Sequence, residues 1–481
     1  MQATRCLLRT NTIEPVCHFN RKVRFNKRMR STLVPFFLVL LSTACLQAQT
    51  HSVLMISTDG MRPDYVTHAD EHGLKIPMLR NMMREGAYAV GVNGVFPTVT
   101  YPSHTTLITG VWPAEHGIVD NQRFDPERKM DGAWYWYEDQ IKAPTLWFAA
   151  HKAGLRTASV GWPVTADAKD IDFLIPEYWR ASVGEPTNSD DRFLMNALSR
   201  PVNELDTIAA HLSMPYMEGN DTSPEGDEVK TRFALEILKA HKPQFMAIHL
   251  SSLDEEEHLH GTFSAEADAD LERLDGMIAR LADQERANDP ATVVLVVSDH
   301  GFADVSHLVN LAAAFIDARL MKPAASGSGM IQWQAQPWAL GCMFAIMLNN
   351  PDDVAAKQQV HELLQKLAAQ PSNGIEEILD STQIASVGGP PEAIYVVTLR
   401  KGYAPGPNLT GDLVTDVPGH HGTHGYDPQT TPEMRASFFA VGQSIAHGKN
   451  LGIIDMRGIA PTVANLLGIP PPTSGQGLNL H

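Results

Sequence analysis

Apolar runs of strand length recur along the chain, each ended by a turn-forming or chemically active residue. Val53-Leu-Met-Ile-Ser57 is closed by Asp59-Gly60. Arg156–Gly161, Phe245–Leu250, Thr292–Val297 and Ser437–Val441 repeat the pattern. Between these runs the polarity takes on helical periodicity. Ile76 to Arg84 predicts a short helix stopped by Gly86. Thr145 to Lys152 predicts another, entered through Pro144 and stopped by Gly154. Leu271, Leu274, Ile278 and Leu281 share one helical face, and Ile459 to Leu467 predicts a last helix. Residues 245–298 therefore read as a β-α-β unit. Strands that are apolar throughout predict an α/β fold: a mostly parallel central sheet with helices on both faces.

Residues 303–418 follow a different style. Gly, Ser and Pro cluster at Pro323–Ser328 and Gly388–Pro391. Strands are predicted at Phe344–Leu348 and Ile394–Leu399, with a helix from Val354 to Leu367 between them. This predicts a small α+β cap insertion. The organisation is then an N-terminal extension (1–48), a first part of the α/β core (49–302), the cap (303–418) and a second part of the core (419–481).

Of the 481 residues 43% are apolar and 19% charged, a globular composition. Lys and Arg number 38 against 55 Asp and Glu, a formal charge of -17. That balance argues against a nucleic-acid polymer as partner. It does not exclude a small phosphate substrate, because bound cations reverse the local sign. Residues 1–30 carry eight Lys/Arg against the single acid Glu14, and the apolar run Leu33–Leu41 follows. The run is too short to span a bilayer. The pattern predicts a signal peptide, of conventional length if translation starts at Met29, with cleavage after Ala44 or Ala48. Secretion or a periplasmic location follows. Ser42-Thr-Ala-Cys45 is also a degenerate lipoprotein box, which makes Cys45 a candidate lipid anchor. Four cysteines, of which only Cys342 is certain to be in the mature chain, predict no internal disulfide.

Ligands of open parallel sheets bind beyond the carboxyl ends of the strands. Three predicted strand ends carry acids: Asp59, Asp254 and Asp299. One such Asp could simply cap a turn. Here His258 lies four residues after Asp254, His300 adjoins Asp299, and His424 stands in Gly422-Thr-His-Gly-Tyr-Asp427. Mixed Asp/His ligation suits zinc, and six such residues match the demand of a two-metal site. The segment Phe96-Pro-Thr-Val-Thr-Tyr-Pro-Ser-His104 puts Thr100 at the start of a helix running to Gly110. From local sequence, Thr100 reads either as a helix cap or as a nucleophile at a phosphate-binding helix end.

Taken in order, these motifs resemble those of the nucleotide pyrophosphatase/phosphodiesterase family of the alkaline phosphatase superfamily, from Ser52 through Leu467-Gly-Ile-Pro-Pro-Pro472. The resemblance implies an alkaline-phosphatase-like fold and two Zn2+ ions. One would be held by Asp254, His258 and His424, the other by Asp59, Asp299, His300 and the Thr100 oxygen. It makes Thr100 the nucleophile and Asn121, in His116-Gly-Ile-Val-Asp-Asn121, the oxyanion-side asparagine. It further implies that Trp162-Pro163 marks the substrate cleft and that Tyr101 stacks on a base or aryl group, core packing being the alternative for Tyr101. The implied activity is hydrolysis of a small phosphodiester or nucleotide through a phospho-threonine. A phosphomonoesterase or phosphonoacetate-type hydrolase on the same metal core is the alternative, and a zinc-stabilised binding protein the reading from outside the enzymes.

The chain departs from the family pattern at Val99, where lysine is frequent, at Ser103, where asparagine is frequent, and at Leu253 and Glu257, in place of proline and glycine. Glu255–Glu257 are expected to form a solvated face. His104, His116, His249, His260, His420 and His421 are expected to serve loops rather than a metal.

Overall fold

The computed structural model describes residues 51–127, 134–178, 190–216, 221–323 and 330–481. The expected signal peptide, its start at Met29, its cleavage sites at Ala44 and Ala48 and the anchor at Cys45 lie outside the described residues. No helix among the described residues is long and apolar enough to cross a membrane.

An eight-stranded sheet forms the centre. Its strands are β1 (Val53–Thr58), β2 (Ala87–Tyr88), β3 (Thr157–Val160), β4 (Phe173–Ile175), β5 (Phe245–Leu250), β6 (Val293–Val297), β7 (Phe438–Val441) and β8 (Lys449–Asn450). Their order in space is β8-β2-β7-β6-β1-β5-β3-β4. β1 lies between β5 and β6 and is parallel to both; β3 continues the parallel set beside β5. β7 runs antiparallel to β6, with Phe438 opposite Val297. The closing strand thus departs from the parallel style of the first four runs. The chain leaves β6 and re-enters at the same end of the sheet, so no crossover helix carries it back to start a parallel strand.

The apolar strands are apolar because both faces are covered. Leu54, Ile56, Met246 and Ile248 point to one face, where they pack with Phe233, Ile237, Leu271, Leu274 and Ile278. Val53, Met55, Phe245 and Ala247 point to the other, against Trp147, Val463 and Leu467. The covering helices used below are α1 (Thr100–Thr109), α2 (Pro224–His241), α3 (Ser252–His260), α4 (Ala265–Asn288) and α5 (Ile459–Leu467). Ser223 and Ser264 cap α2 and α4 by accepting the Gly226 and Ala267 N–H groups.

A separate four-stranded antiparallel sheet is built, in spatial order, from Ala335–Leu340, Met343–Leu348, Tyr395–Leu399 and Ile375–Asp380. Val360 and Leu364 of the helix Val354–Ala368 share its core with Phe344, Ile346 and Val397. A three-stranded sheet (Ala303–Val309, Tyr403–Pro405, Val414–Thr423) leads directly to His424.

Candidate metal centre and active site

Elements distant in sequence meet beyond the carboxyl ends of β1, β5 and β6. Asp59 follows β1, and its N–H donates to the Leu250 carbonyl at 2.9 Å. Gly60 turns the chain sharply with φ +73°, and its N–H donates to Asp299 Oδ1 at 3.2 Å. A side chain at Gly60 would meet the Phe302 ring at 2.9 Å and the Glu257 carboxylate at 3.0 Å, so glycine is required there. Asp299 and His300 stand just past β6. Asp254 and His258 are one turn apart on α3, with His258 Nε2 3.4 Å from Asp254 Oδ2. Only Ser251 separates the end of β5 from the start of α3.

His424 arrives from the far end of the sequence. Gly425 behind it has φ +101° and backs onto Gly341, where any Cβ would collide with the Gly341 backbone and the Cys342 N–H. Gly425→Ala should therefore displace His424. The expected outcome is at least a tenfold loss of activity, with destabilisation of about 1–3 kcal/mol read from urea unfolding.

Two groups of ligand atoms result, Asp254/His258/His424 and Asp59/Asp299/His300, each with its atoms within 4.8 Å of one another. They adjoin. The rings of His300 and His424 stack at 3.7 Å and 7°, and His300 Nε2 lies 3.4 Å from Asp59 Oδ1 and 3.2 Å from Asp299 Oδ2.

The donor set fits cations. Nδ1 of His258, His300 and His424 lies 3.1, 3.2 and 3.0 Å from the carbonyl oxygens of Gly422, Gly301 and Thr98. A carbonyl only accepts, so Nδ1 carries the proton in each ring and Nε2 presents its lone pair inward. Asp59 Oδ1, Asp254 Oδ1 and Asp299 Oδ2 are buried without a hydrogen-bond partner, which is costly unless a cation is bound. The electrostatics agree. Burial, then the Asp254 charge, pushes Asp59 well above the usual carboxylate range. Burial and Asp59 do the same to Asp299. Burial drives His300 far down and His424 to about 4, so both rings are neutral, as ligands must be.

Thr100 is the first residue of α1, with its Oγ1 3.5 Å from His300 Nε2. The N-cap position is Val99, whose side chain makes no cap bond, and the Thr100 hydroxyl has His300 as its one hydrogen-bond partner among the described residues. The first turn offers little free backbone: the Tyr101 N–H donates to Asn121 Oδ1 at 2.8 Å, Pro102 has none, and the Ser103 N–H reaches Val99 O. The expected phosphate-binding helix end is reduced to the Thr100 N–H, but Asn121 compensates. With its Oδ1 occupied, its Nδ2 is left as a donor beside Thr100.

A cavity of about 350 Å³ opens beside Asp59, Thr100 and Asp254, walled by Asn121, Trp134, Glu177, Asp221 and Lys230 among others. Trp162 is not in this wall. It is fully buried, edge-on to His104 at 4.8 Å and to Trp147 at 6.0 Å, so its expected substrate contact gives way to a core role. Tyr101 touches the cavity but is 1% exposed. Its hydroxyl donates to Glu177 Oε1 at 2.6 Å and Trp134 lies against it at 5.3 Å. No Tyr101 ring face is open for stacking; the half-buried Trp134 is the other aromatic residue in the described wall. Glu257 also departs from expectation. Its side chain is buried, holds the Tyr65 hydroxyl at 2.9 Å and is pushed well above the usual range by burial.

The remaining histidines act as supports. His104 bridges Thr100 O and Ser57 Oγ, both at 2.9 Å. His116 lies 3.1 Å from Thr106 Oγ1. His249 Nε2 lies 3.0 Å from Asp59 Oδ2, with its Nδ1 3.2 Å from Glu177 Oε2, so it orients an expected ligand. His420 pairs with Asp304, and His260 with Glu256. Glu177, Trp134, Asp221 and Lys230 were not singled out from the sequence. No motif marks them; each owes its place to packing.

A mostly parallel sheet with acids and histidines at its carboxyl edge, beside a helix-start threonine, defines an alkaline-phosphatase-like α/β protein with a candidate metal centre. Comparison with known proteins makes the assignment specific. The family model for type I phosphodiesterase / nucleotide pyrophosphatase matches residues 53–427. The chain belongs to that family. It is 26% identical over 265 residues to human ectonucleotide pyrophosphatase/phosphodiesterase family member 1, a match covering 53% of this chain and 24% of that protein. It is 34% identical over 145 residues to human family member 5, covering 28% of each. The match to the Xenopus laevis bis(5'-adenosyl)-triphosphatase is 27% over 187 residues, 37% of this chain and 38% of that protein. The aligned region thus spans about a quarter of the length of the family member 1 relatives. In structure, human ectonucleotide pyrophosphatase/phosphodiesterase 5 superposes with TM-score 0.61 at 19% identity, over 89% of this chain and 97% of that one. The murine counterpart, an inactive variant in complex with AMP, gives 0.60 at 18%, over 89% and 97%.

Proposed function

We propose that the chain is an exported two-zinc phosphodiesterase or nucleotide pyrophosphatase that works through a phospho-threonine at Thr100. The observation that carries this reading is the pairing of inward-facing His Nε2 atoms with unpartnered carboxylate oxygens around Thr100. Asp254, His258 and His424 would hold one ion; Asp59, Asp299, His300 and Thr100 Oγ1 would hold the other. Zinc bound there supplies Lewis acidity, lowering the pKa of an oxygen ligand and neutralising charge on the transferring phosphoryl group.

The protein's own groups do the rest. Thr100 Oγ1 attacks phosphorus in line; the Oγ1–P bond forms, the bond to the leaving oxygen breaks, and that oxygen ends as an alcohol or phosphate. Asn121 Nδ2 donates to a non-bridging oxygen as its charge grows. His249 fixes Asp59 through the bond at 3.0 Å. Water then cleaves the phospho-threonine, releasing a monoester and restoring the hydroxyl.

Charge in the cavity favours a diester. Among the described residues Lys230 is the one lysine or arginine in its wall and is already paired with Asp227, while Glu177 and Asp221 also face it. A singly charged diester suits this setting better than a doubly charged terminal phosphate. Nucleotides are supported as substrates by the AMP complex of one relative and the bis(5'-adenosyl)-triphosphatase name of another. The test is parallel turnover of an aryl phosphodiester and an aryl phosphomonoester by the zinc-loaded protein. A diester preference of at least tenfold is expected. A monoester preference would move the assignment to the phosphatase or phosphonate-hydrolase alternative, and zinc binding without hydrolysis of any ester to a binding protein. Export, with or without lipid at Cys45, is tested by mass measurement of the mature amino terminus.

A further inference from the structure

A second cavity, of about 520 Å³, shares no described wall residue with the one beside Thr100. It is enclosed by the segment that follows β1, by residues around β2 and by the turn that leads into β7. That turn is pinned. The Met434 carbonyl accepts the Gly301 N–H at 3.1 Å, and a Cβ at Gly301 would collide with the Glu433 carbonyl. Arg435, the last residue of the turn in this wall, is therefore held in place. Gly91 makes room for its stem, since a side chain there would meet Arg435 Cδ at 2.6 Å.

The other charges of the wall are already committed. Arg62 holds the Asp64 carboxylate through Nε and Nη2, at 2.9 and 2.5 Å, and donates to the Phe302 carbonyl at 3.1 Å. Glu433 is paired with Lys401 at 2.5 Å. His68 Nδ1 lies 3.1 Å from Thr67 Oγ1. Arg435 is different. Among the described residues its guanidinium has no hydrogen bond and no ion pair, and its Nε is buried without a partner. A buried donor left unmade is costly. The Tyr88 hydroxyl, in the same wall, also has no partner among the described residues.

These groups select a ligand. A guanidinium presents a planar fork of donors that matches an oxyanion in a bidentate way. Asp64 and Glu433, although paired, still face the cavity, so a singly charged head suits it better than a doubly charged phosphate. Pro63, Met83, Val90, Pro432 and the Tyr88 ring line the rest. Mostly apolar walls with a few fixed polar groups suit an organic ligand of matching size.

We propose that this cavity is a binding site for a small organic carboxylate with an apolar body, and that Arg435 takes its head with the Tyr88 hydroxyl as a second donor. The site is separate from the metal centre, and the inference does not depend on the phosphodiesterase reading.

The probe is 4-iodobenzoate, with 4-iodobenzyl alcohol as its uncharged counterpart. Calorimetric titration of the full zinc-loaded protein should show saturable binding of the carboxylate below about 10 mM, and binding of the alcohol weaker by about tenfold or more, because the charge-assisted pair is lost. Arg435→Met keeps an apolar stem against Gly91 and should weaken the carboxylate by about tenfold or more; Arg435→Lys keeps the charge without the fork and should retain part of the affinity. Anomalous scattering from a crystal of the wild-type protein soaked in the probe should place the iodine in this cavity, a readout that no variant's folding affects. Iodine at the metal centre, or none in this cavity, overturns the inference. So does binding of the alcohol as tight as that of the carboxylate, or unchanged affinity in a folded Arg435→Met protein. Displacement of the probe by inorganic phosphate at lower concentration than the probe itself needs overturns the choice of a carboxylate. Turnover of phosphate esters, or its absence, bears only on the phosphodiesterase reading.

Discussion

Thr100→Ala is expected to abolish turnover while the protein stays folded and keeps its cations. The hydroxyl is the group placed at the start of α1, beside His300 and within the cavity, and the N-cap position is Val99, so the substitution removes no side-chain cap. On the proposed route its removal would delete the attacking atom and one oxygen ligand, but leave three candidate protein ligands in each group. Losses of a nucleophile of this kind run to roughly 10³-fold or more in kcat. The measurement is turnover of an aryl phosphodiester together with metal content by mass spectrometry. Substantial activity in Thr100→Ala would reject the phospho-threonine route. Loss of the metal along with activity would show that Thr100 matters mainly as a ligand.

The second large effect is expected on removing the cations. Without them Asp59 and Asp299 are held well above the usual carboxylate range, chiefly by burial and then by neighbouring carboxylates. The sign follows from proton linkage. The folded metal-free protein binds protons at these sites that the unfolded chain has already released above about pH 4, so its stability falls as pH rises from there toward the folded values. A divalent cation reverses the effect by replacing the protons. Chelation should therefore remove all activity and lower Tm, and added Zn2+ should raise Tm by several degrees, more at pH 7.5 than at pH 5. The check is thermal unfolding of chelated and zinc-loaded protein across that range. A zinc-induced shift that is absent, or larger at the acid end, would contradict the ligand assignment.

Much of this centre is legible in the sequence for physical reasons that can be named. Val53–Ile56, Phe245–Ile248 and Val293–Val297 are apolar at every position, and a strand covered on both faces reads that way. Their ends then mark the edge of the sheet, and the residues that follow them, Asp59, Asp254 and Asp299, fall at that edge. The spacing of Asp254 and His258 survives folding because it is a local property of a helix. Direction is a different matter. Ser437–Val441 reads like the other strands, yet β7 runs the opposite way, because period and hydrophobicity specify burial and leave orientation to the path of the chain.

The cavity wall was legible to a much smaller degree. Tyr101 next to the nucleophile suggests stacking, but whether a ring face is open depends on Trp134 and Glu177, which reach it from elsewhere. Glu257 in a run of three acids reads as a solvated face, yet it is turned inward onto Tyr65. Lys230 sits in a polar helix with nothing to distinguish it from the exposed lysines around it. Taken alone, the sequence determined the doubly covered sheet, the edge where ligands gather and the identity of the residues placed there, since these depend on local pattern and spacing. Only the tertiary structure decided which rings are covered and which buried donors and acceptors are left unpartnered. Those properties belong to contacts between residues more than 50 positions apart, such as Glu177 on Tyr101 and Thr98 on His424, for which the chain carries no local signal.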